Sequence, residues 1–291
     1  PYTADVSYGK NERIYNAHSY HTKVPHKAIQ QFITHYTRPG DVVLDGFAGT
    51  GMTGVAATLS NRYSVLNDLS PLATTISSSW FALFSRPDAP DAMAELLTRV
   101  EREWARLYLT AVKGASKRIN YVVWADVHVC PECQKASNYW DLTVRLKEGA
   151  QNDHCTCSTC KVEFSPRTEQ KLRRRVLEPS TGEILDSVVS EPVLICYFEG
   201  KSKIRTAPSP GDRDLVDKVN AMPWPKGMAA SPIPSGFNLQ QAVDSHGFKY
   251  LHHYYTYRNF IALAALARAM REVSDPILRQ ACYFILQSIL D

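Results

Sequence analysis

The sequence predicts an α/β fold that carries an inserted zinc ribbon and closes on helices. Three observations predict it. A strand, a glycine loop, a helix and a second strand follow one another between Asp41 and Asp68; two C-x-x-C pairs stand at Cys130–Cys133 and Cys157–Cys160; and two helical runs, Arg258–Arg271 and Pro276–Leu290, end the chain. At 291 residues, 44% hydrophobic and 21% charged, the composition is an ordinary globular mixture, which excludes a disordered chain. No apolar stretch approaches the ~18 residues of a membrane-spanning helix, and no signal-peptide pattern opens the sequence. The chain starts at Pro1 without an initiator Met and stops at Asp291, soon after the apolar run Tyr283–Leu286, as expected of a fragment.

Residues 1–90 read as the start of an α/β core. Ile29, Phe32 and Ile33 give a short helix over Ala28–Tyr36, stopped by Arg38-Pro39-Gly40. Asp41–Asp45 reads as a buried strand, Gly46–Gly51 as a glycine-rich loop, Met52–Leu59 as a helix, and Tyr63–Leu66 as a second strand ending at Asn67-Asp68. This order is a βαβ unit. Asp91 is expected to cap a long helix presenting Leu96, Leu97, Val100, Trp104, Leu107 and Ala111 on one face, so 91–122 reads as a helical connector. Residues 123–205 read as the zinc-ribbon insert with its basic stretch and, within the same span, a hairpin around Ser180-Thr181-Gly182. Pro208–Pro234, rich in Pro, Gly and Ser, reads as loop within a linker over 206–245, and 246–291 as a closing helical segment with Pro276 in a first turn.

Gly49-Thr50-Gly51-Met52-Thr53-Gly54 matches G-x-G-x-x-G, but an acid, Asp45, ends the strand before it. In dinucleotide folds the first glycine follows the strand closely, so that pyrophosphate meets the helix N-terminus. A carboxylate there repels pyrophosphate and suits a ligand carrying an ammonium, such as S-adenosylmethionine. Asp68, 23 residues after Asp45, stands where an acid binds ribose hydroxyls in either ligand class. A dinucleotide site and a glycine turn that only packs helix on strand are the alternatives.

Asp45-Gly46-Phe47-Ala48-Gly49-Thr50-Gly51 resembles motif I of the amino-group DNA methyltransferases. His18-Ser19-Tyr20-His21-Thr22-Lys23-Val24-Pro25 resembles their motif X, and Asn67-Asp68-Leu69-Ser70-Pro71 their motif II. His252–Asn259 is similar to a stretch of the large, zinc-ribbon-bearing adenine-specific DNA methylases. The resemblance implies an incomplete Rossmann-like class I methyltransferase core. It implies that Asp45, Phe47, Ala48, Gly49, Thr50, Gly51, Asp68 and Leu69 hold S-adenosylmethionine, with Tyr20, Thr22 and Lys23 contributing. The family's D/N/S-P-P-Y/F/W tetrapeptide, which orients the exocyclic amine of the target base, is absent: the sequence has no Pro-Pro pair, and Asp275-Pro276-Ile277 reads as a helix start. No catalytic residue is therefore assigned. The chain is read as the cofactor-binding half of a methyltransferase, either truncated or completed by a partner subunit.

The two C-x-x-C pairs are separated by 23 intervening residues, a spacing that suits a tetrahedral thiolate site for structural Zn²⁺ on Cys130, Cys133, Cys157 and Cys160, with Cys155 as a possible substitute for Cys157. Four thiolates leave no open position for water, so the metal is not catalytic. Seven cysteines with no secretory signal favour a reducing, cytoplasmic setting. The net charge is only +4, and Lys161–Arg175 carries all of that excess, with six basic residues against two acidic ones. Arg167, Lys171, Arg173, Arg174 and Arg175 are the candidate DNA contacts, through phosphates.

Phe248, Tyr250, Tyr254, Tyr255 and Tyr257 with Lys249 and Arg258 suit base stacking, though such clusters more often pack a helix entry against the core. The expected function is methyl transfer from S-adenosylmethionine to the N6 of a flipped adenine in DNA, with cytosine N4 as the other amine the same motifs serve. A non-catalytic cofactor- and DNA-binding subunit, and an RNA-binding zinc-ribbon protein, are the readings from other classes.

Overall fold

The computed structural model describes residues 1–3, 5–145, 150–151, 155–165 and 171–290. The chain divides into two compact units, Pro1–Val100 with Leu266–Asp291, and Glu101–Ala265. The elements run α1 (His26–Tyr36), β1 (Val42–Asp45), α2 (Met52–Leu59), β2 (Tyr63–Leu66), α3 (Pro71–Ser85), α4 (Ala89–Trp104), β3 (Leu109–Val112), β4 (Ala115–Val129), β5 (Ala136–Asn138) and α5 (Tyr139–Thr143). There follow β6 (Val144–Arg145), β7 (Ala150–Gln151), β8 (Cys155–Thr156), β9 (Glu163–Phe164), β10 (Arg173–Leu177), β11 (Ile184–Val188), β12 (Ser190–Glu199) and β13 (Ser202–Thr206). Helices α6 (Pro210–Asn220), α7 (Phe237–His246), α8 (Tyr257–Arg271) and α9 (Pro276–Leu290) close the chain. Among the described residues no helix is long and apolar enough to cross a membrane.

In the first unit β1 and β2 pair in parallel, from Val42 opposite Tyr63 to Asp45 opposite Leu66, with α2 as the crossover. Val43 packs with Ile29, Ile33, Ala56 and Ala57, so one face of the strand pair is closed by α1 and α2. Helix α2 comes this close because its inner residues are small. A methyl group added at Gly54 would stand 2.6 Å from Leu66 Cδ1, and one at Gly51 would stand 2.7 Å from Ser77 Cβ and 3.0 Å from Ser77 Cα. The strand expected to be buried is covered on the α1–α2 face alone; its other face is open, with Leu44 74% and Tyr63 70% exposed beside exposed Val42 and Val65. Helix α3, which the sequence reading did not single out, starts on Ser70 as N-cap with Pro71 in its first turn. It packs against α9 through buried Ala82 and Ala281, and through Trp80 edge-on to Phe284 at 4.6 Å.

The second unit is built on an antiparallel sheet ordered β13-β12-β4-β3, with β5 paired to β4. Two expectations are corrected here. The long helix starts at Ala89, so Asp91 stands in its first turn and not at its cap, and it ends at Trp104; Leu107 lies in a 3-10 turn and Ala111 in β3. Lys113 (φ 51°) and Gly114 (φ 80°) make a two-residue turn of the mirror-image type that matches strand twist, and this draws Leu109–Val112 into the sheet. Pro208–Pro234 is not all loop. Ser209 and Asp212 form a reciprocal capping box around Pro210 and start α6, so the stretch 206–245 carries α6 and most of α7. The hairpin around Ser180–Gly182 forms as β10–β11, with Gly182 at φ 73°.

Gly51→Ala combines a left-handed backbone with a clash against the α3 backbone and is expected to cost about 2 kcal/mol or more in urea unfolding. Gly46→Ala, where nothing lies within 4 Å, is expected to leave the midpoint nearly unchanged. Equal midpoints for the two variants would refute the close-approach account.

Candidate functional site

The glycine loop leaves the C-terminal end of β1, the edge at which open α/β sheets hold ligands. Gly49 (φ 50°) and Gly51 (φ 78°) take left-handed backbone, which lets the loop turn into α2. Both expected acids are tied into this loop. Asp45 Oδ1 accepts the Phe47 N–H at 3.0 Å and Oδ2 accepts the Thr53 hydroxyl at 2.6 Å. Asp68 Oδ1 accepts the Ser70 N–H at 2.9 Å and Oδ2 accepts the Gly49 N–H at 2.8 Å. The Ser70 and Gly49 amides hold the Asp68 carboxyl below its ordinary range, so it is an anion at neutral pH. Each oxygen keeps a second lone pair for a ligand. Ala48 N–H donates to the Asn67 carbonyl at 3.0 Å, completing the seam between loop and β2 end. Thr50 is buried, whereas Phe47 and Leu69 are 95% and 98% exposed. Two almost bare apolar side chains beside a paired anion are suited to covering a flat apolar ligand group.

Tyr20 reaches this loop: its ring edge lies 3.6 Å from a methyl group placed on Gly49. Tyr15, His18, Tyr20, His21, Lys23 and Leu72 line a cleft of about 540 Å³. Thr22 and Lys23 serve the turn itself. Thr22 (φ 63°) donates its hydroxyl to the His21 carbonyl, and Lys23 Nζ donates to the His18 carbonyl at 2.6 Å while lying 4.7 Å from the Tyr15 ring centroid. Thr53 and Ser70, which position the two acids, were not among the expected site residues. The Ser70-Pro71 helix start was the available signal for the latter.

In the second unit the Sγ atoms of Cys130, Cys133, Cys157 and Cys160 all lie within 4.8 Å of one another, with Cys130 to Cys160 and Cys133 to Cys157 at 3.6 Å. A tetrahedral thiolate shell with Zn–S of about 2.3 Å has edges of about 3.8 Å, so the four sulfurs fit one. The two knuckles repeat the same backbone. Cys130 N–H donates to the Lys135 carbonyl and Cys157 N–H to the Val162 carbonyl, and the residue after each second cysteine, Gln134 (φ 57°) or Lys161 (φ 64°), is left-handed. The Cys160 and Thr159 amides lower the pKa of the Cys157 thiol, favouring the thiolate a metal needs. Cys155 stands apart. Its thiol donates to the Phe164 carbonyl at 3.4 Å inside a small core with Phe164, and burial pushes its pKa up.

The basic run is divided by its surroundings. Arg167 lies outside the described residues. Lys171 pairs with Asp126 at 2.7 Å, and Arg173 donates to the Asp244 carbonyl at 3.0 Å beside Asp186. Arg174 and Arg175 alternate to opposite faces of the exposed strand β10.

A third cluster gathers Glu178, His252 and His253. Glu178 is buried and accepts from the Ser180 hydroxyl and amide, from His253 Nε2 at 2.8 Å and from His252 Nε2 at 3.3 Å. Burial alone would raise its pKa, but these donors bring it down to about 2. His253 Nδ1 accepts the Lys249 N–H at 3.1 Å, which places the ring proton on Nε2, facing Glu178. That tautomer occupies the nitrogen a metal would need, so the cluster is a hydrogen-bonded latch from the β10–β11 turn to the segment after Gly247. The aromatic stretch packs around it: Tyr250 stacks on His252 and donates to Glu183, and Trp224 lies edge-on to His252 at 4.7 Å.

Residues 3–78 match a family model for DNA methylases of the N6/N4 type. The match covers both strands, the loop between them, α2 and the Tyr15–Lys23 cleft, and it supports DNA methylation by an amino-group methyltransferase. No curated protein and no solved structure matches the chain.

The latch sets an acid response. Glu178 is held below the ordinary 4.5, so its stabilisation is full above about pH 4.5 and is lost as pH falls toward about 2. Burial, then repulsion from His253, lowers the His252 pKa, so the stability that goes with its neutral form is already being lost as pH falls below about 6.5. Glu178→Gln is expected to cost about 2 kcal/mol at pH 7 and to flatten the fall in urea midpoint between pH 5 and pH 3. An unchanged pH profile would refute the latch.

Proposed function

We propose that this chain is the cofactor-binding part of an S-adenosylmethionine-dependent DNA methyltransferase acting on an exocyclic amine, with adenine N6 as its target. The observation that carries the reading is the pair of loop-bound carboxylates, Asp45 and Asp68, at the carboxyl ends of β1 and β2 within the stretch that matches the DNA methylase model. Two anions beside a glycine loop disfavour a pyrophosphate and favour a ligand bearing an ammonium and a sulfonium. The open side at Gly46 leaves room for it, which supports the fit.

In this reading Asp68 accepts from the ribose hydroxyls through its free lone pairs, and Asp45 holds the loop in shape while presenting negative charge to the amino-acid part. Phe47 and Leu69 cover the adenine ring, Ala48, Gly49, Thr50 and Gly51 provide the backbone cradle, and Tyr20 closes the cleft side. Thr22 and Lys23 act by shaping the turn that carries Tyr20. When bound, S-adenosylmethionine supplies the electrophilic methyl group. The residues of this chain fix its position, and much of the acceleration then comes from holding the two reactants in line.

The amine-orienting tetrapeptide comes from elsewhere, since the sequence holds no Pro-Pro pair. The open face of the β1–β2 pair supports cover by a further segment or a partner subunit, because parallel strands are ordinarily covered on both faces. A cofactor- and DNA-binding subunit with no turnover of its own fits the same observation. Cys130, Cys133, Cys157 and Cys160 would hold a structural zinc ion that staples the insert, and among the described residues of the basic run Arg174 and Arg175 are the arginines left to meet DNA phosphates.

Calorimetric titration of the chain is expected to give saturable binding of S-adenosylmethionine and none of NAD. Asp68→Ala should weaken the former at least about tenfold, the loss expected for hydrogen bonds to a charged group. Binding of NAD in its place would overturn the reading. For the cysteines, one zinc per chain by atomic emission is expected, falling to none in Cys130→Ser and persisting in Cys155→Ser. Loss in both would put Cys155 back in the ligand set.

A further inference from the structure

A groove of about 530 Å³ runs through the second unit between the β10–β11 hairpin, the edge of β5, the start of β12 and helix α6. It lies outside the glycine loop and outside the metal set, and no motif in the sequence announced it. Its lining is as polar as it is apolar, with Val176, Val216 and Pro192 beside the half-buried Trp124. Arg174 enters it from the hairpin and Arg213 from α6, and both are exposed. Among the described residues neither guanidinium has an ion-pair or hydrogen-bond partner for its side chain, in contrast to Lys171 and Arg173 of the same basic run.

Two acids also line the groove. The Glu191 carboxylate is engaged by Asn138 Nδ2 at 2.6 Å, and Asp217 lies one turn after Arg213 on α6. Formal charge in the groove is therefore balanced, and charge alone does not select an occupant. What selects is shape and chemistry: two planar guanidiniums, which favour the paired oxygens of a phosphate, carried by separate elements around an indole on which a base can stack.

We propose that this groove binds a single strand of DNA, with phosphates on Arg174 and Arg213 and an unpaired base against Trp124. The proposal rests on the DNA methyltransferase reading for the choice of DNA and adds to it where on this chain an unpaired strand is held. Because only two cations contribute, the salt dependence is shallow, about −0.7 in log K against log salt for each phosphate contacted on a single strand.

The test is fluorescence anisotropy of the full chain with a labelled 12-nucleotide single strand of mixed sequence, titrated at several salt concentrations. Arg174→Ala and Arg213→Ala should each weaken binding about five- to tenfold and each lower the salt slope by about 0.7. Trp124→Phe should stay within about threefold of the parent, while Trp124→Leu should lose about tenfold with the salt slope unchanged, the signature of a stacking contact. Lys218→Ala, on α6 but not lining the groove, should match the parent. Parental affinity and slope in both arginine variants would overturn the proposal, as would a duplex of the same sequence displacing the labelled strand more effectively than the unlabelled single strand. Calorimetry on the same samples separates the two readings. Normal S-adenosylmethionine binding with unaltered oligonucleotide binding in the variants sinks the groove alone; absence of cofactor binding in the parent sinks the methyltransferase reading, and the variants' oligonucleotide affinities then still decide the groove.

Discussion

The Asp68 carboxylate is the fixed point of the first unit. It gathers the Gly49 amide from the glycine loop and the Ser70 amide from the start of α3. The loop, the end of β2 and the helix that follows are thereby tied to one side chain, and the anion is stabilised by the amides it orders. Asp45 does the same for the near side of the loop through Phe47 and Thr53. An anionic, preshaped crevice results without a buried charge. The Asp68 carboxylate is only part-buried, so its amide donors outweigh the desolvation that acts against them.

That crevice sits on an unusually thin support. Two parallel strands carry one closed face, made by α1 and α2, and one open face bearing Val42, Leu44, Tyr63 and Val65. Strand pairs of this kind gain little from backbone hydrogen bonding alone and rely on apolar cover. The cover that exists is dense because glycines at 51 and 54 let α2 approach β2 and α3 to contact distance. The uncovered face carries the same β-branched and aromatic residues as a buried strand, a composition that suits a further layer.

The second unit solves its packing differently. Its clustered cysteines sit in a small core in which Cys130 and Cys157 are buried with Phe164, while Cys133 and Cys160 face outward. The β10–β11 hairpin, too small to stand alone, is held at its turn by Glu178, whose four donors come from Ser180, His252 and His253. The histidine pair that resembles a family stretch thus acts through hydrogen bonding and ring packing. This is the packing role that a cluster of aromatics ordinarily has.

Local chemistry made a good part of this legible in the sequence alone. Strand β1, the glycine loop, α2 and β2 follow from short-range pattern, since a run of apolar residues ending on an acid and followed by glycines has few other conformations open to it. The four cysteines likewise follow from spacing, because each C-x-x-C turn brings its own two thiols together. Contacts distant in sequence were not legible. Nothing local distinguishes Arg174 from Arg173, yet Asp186 and the Asp244 carbonyl occupy one and leave the other free. Nor could the pattern show that Leu107 and Ala111 leave α4, because the β3–β4 pairing competes with helix only once the sheet exists. The sequence by itself determined the glycine loop with its two acids and the pairing of the four cysteines. The tertiary structure decided which of the remaining cations and histidines are consumed by partners, because pairing and burial are set by neighbours that the chain order does not place side by side.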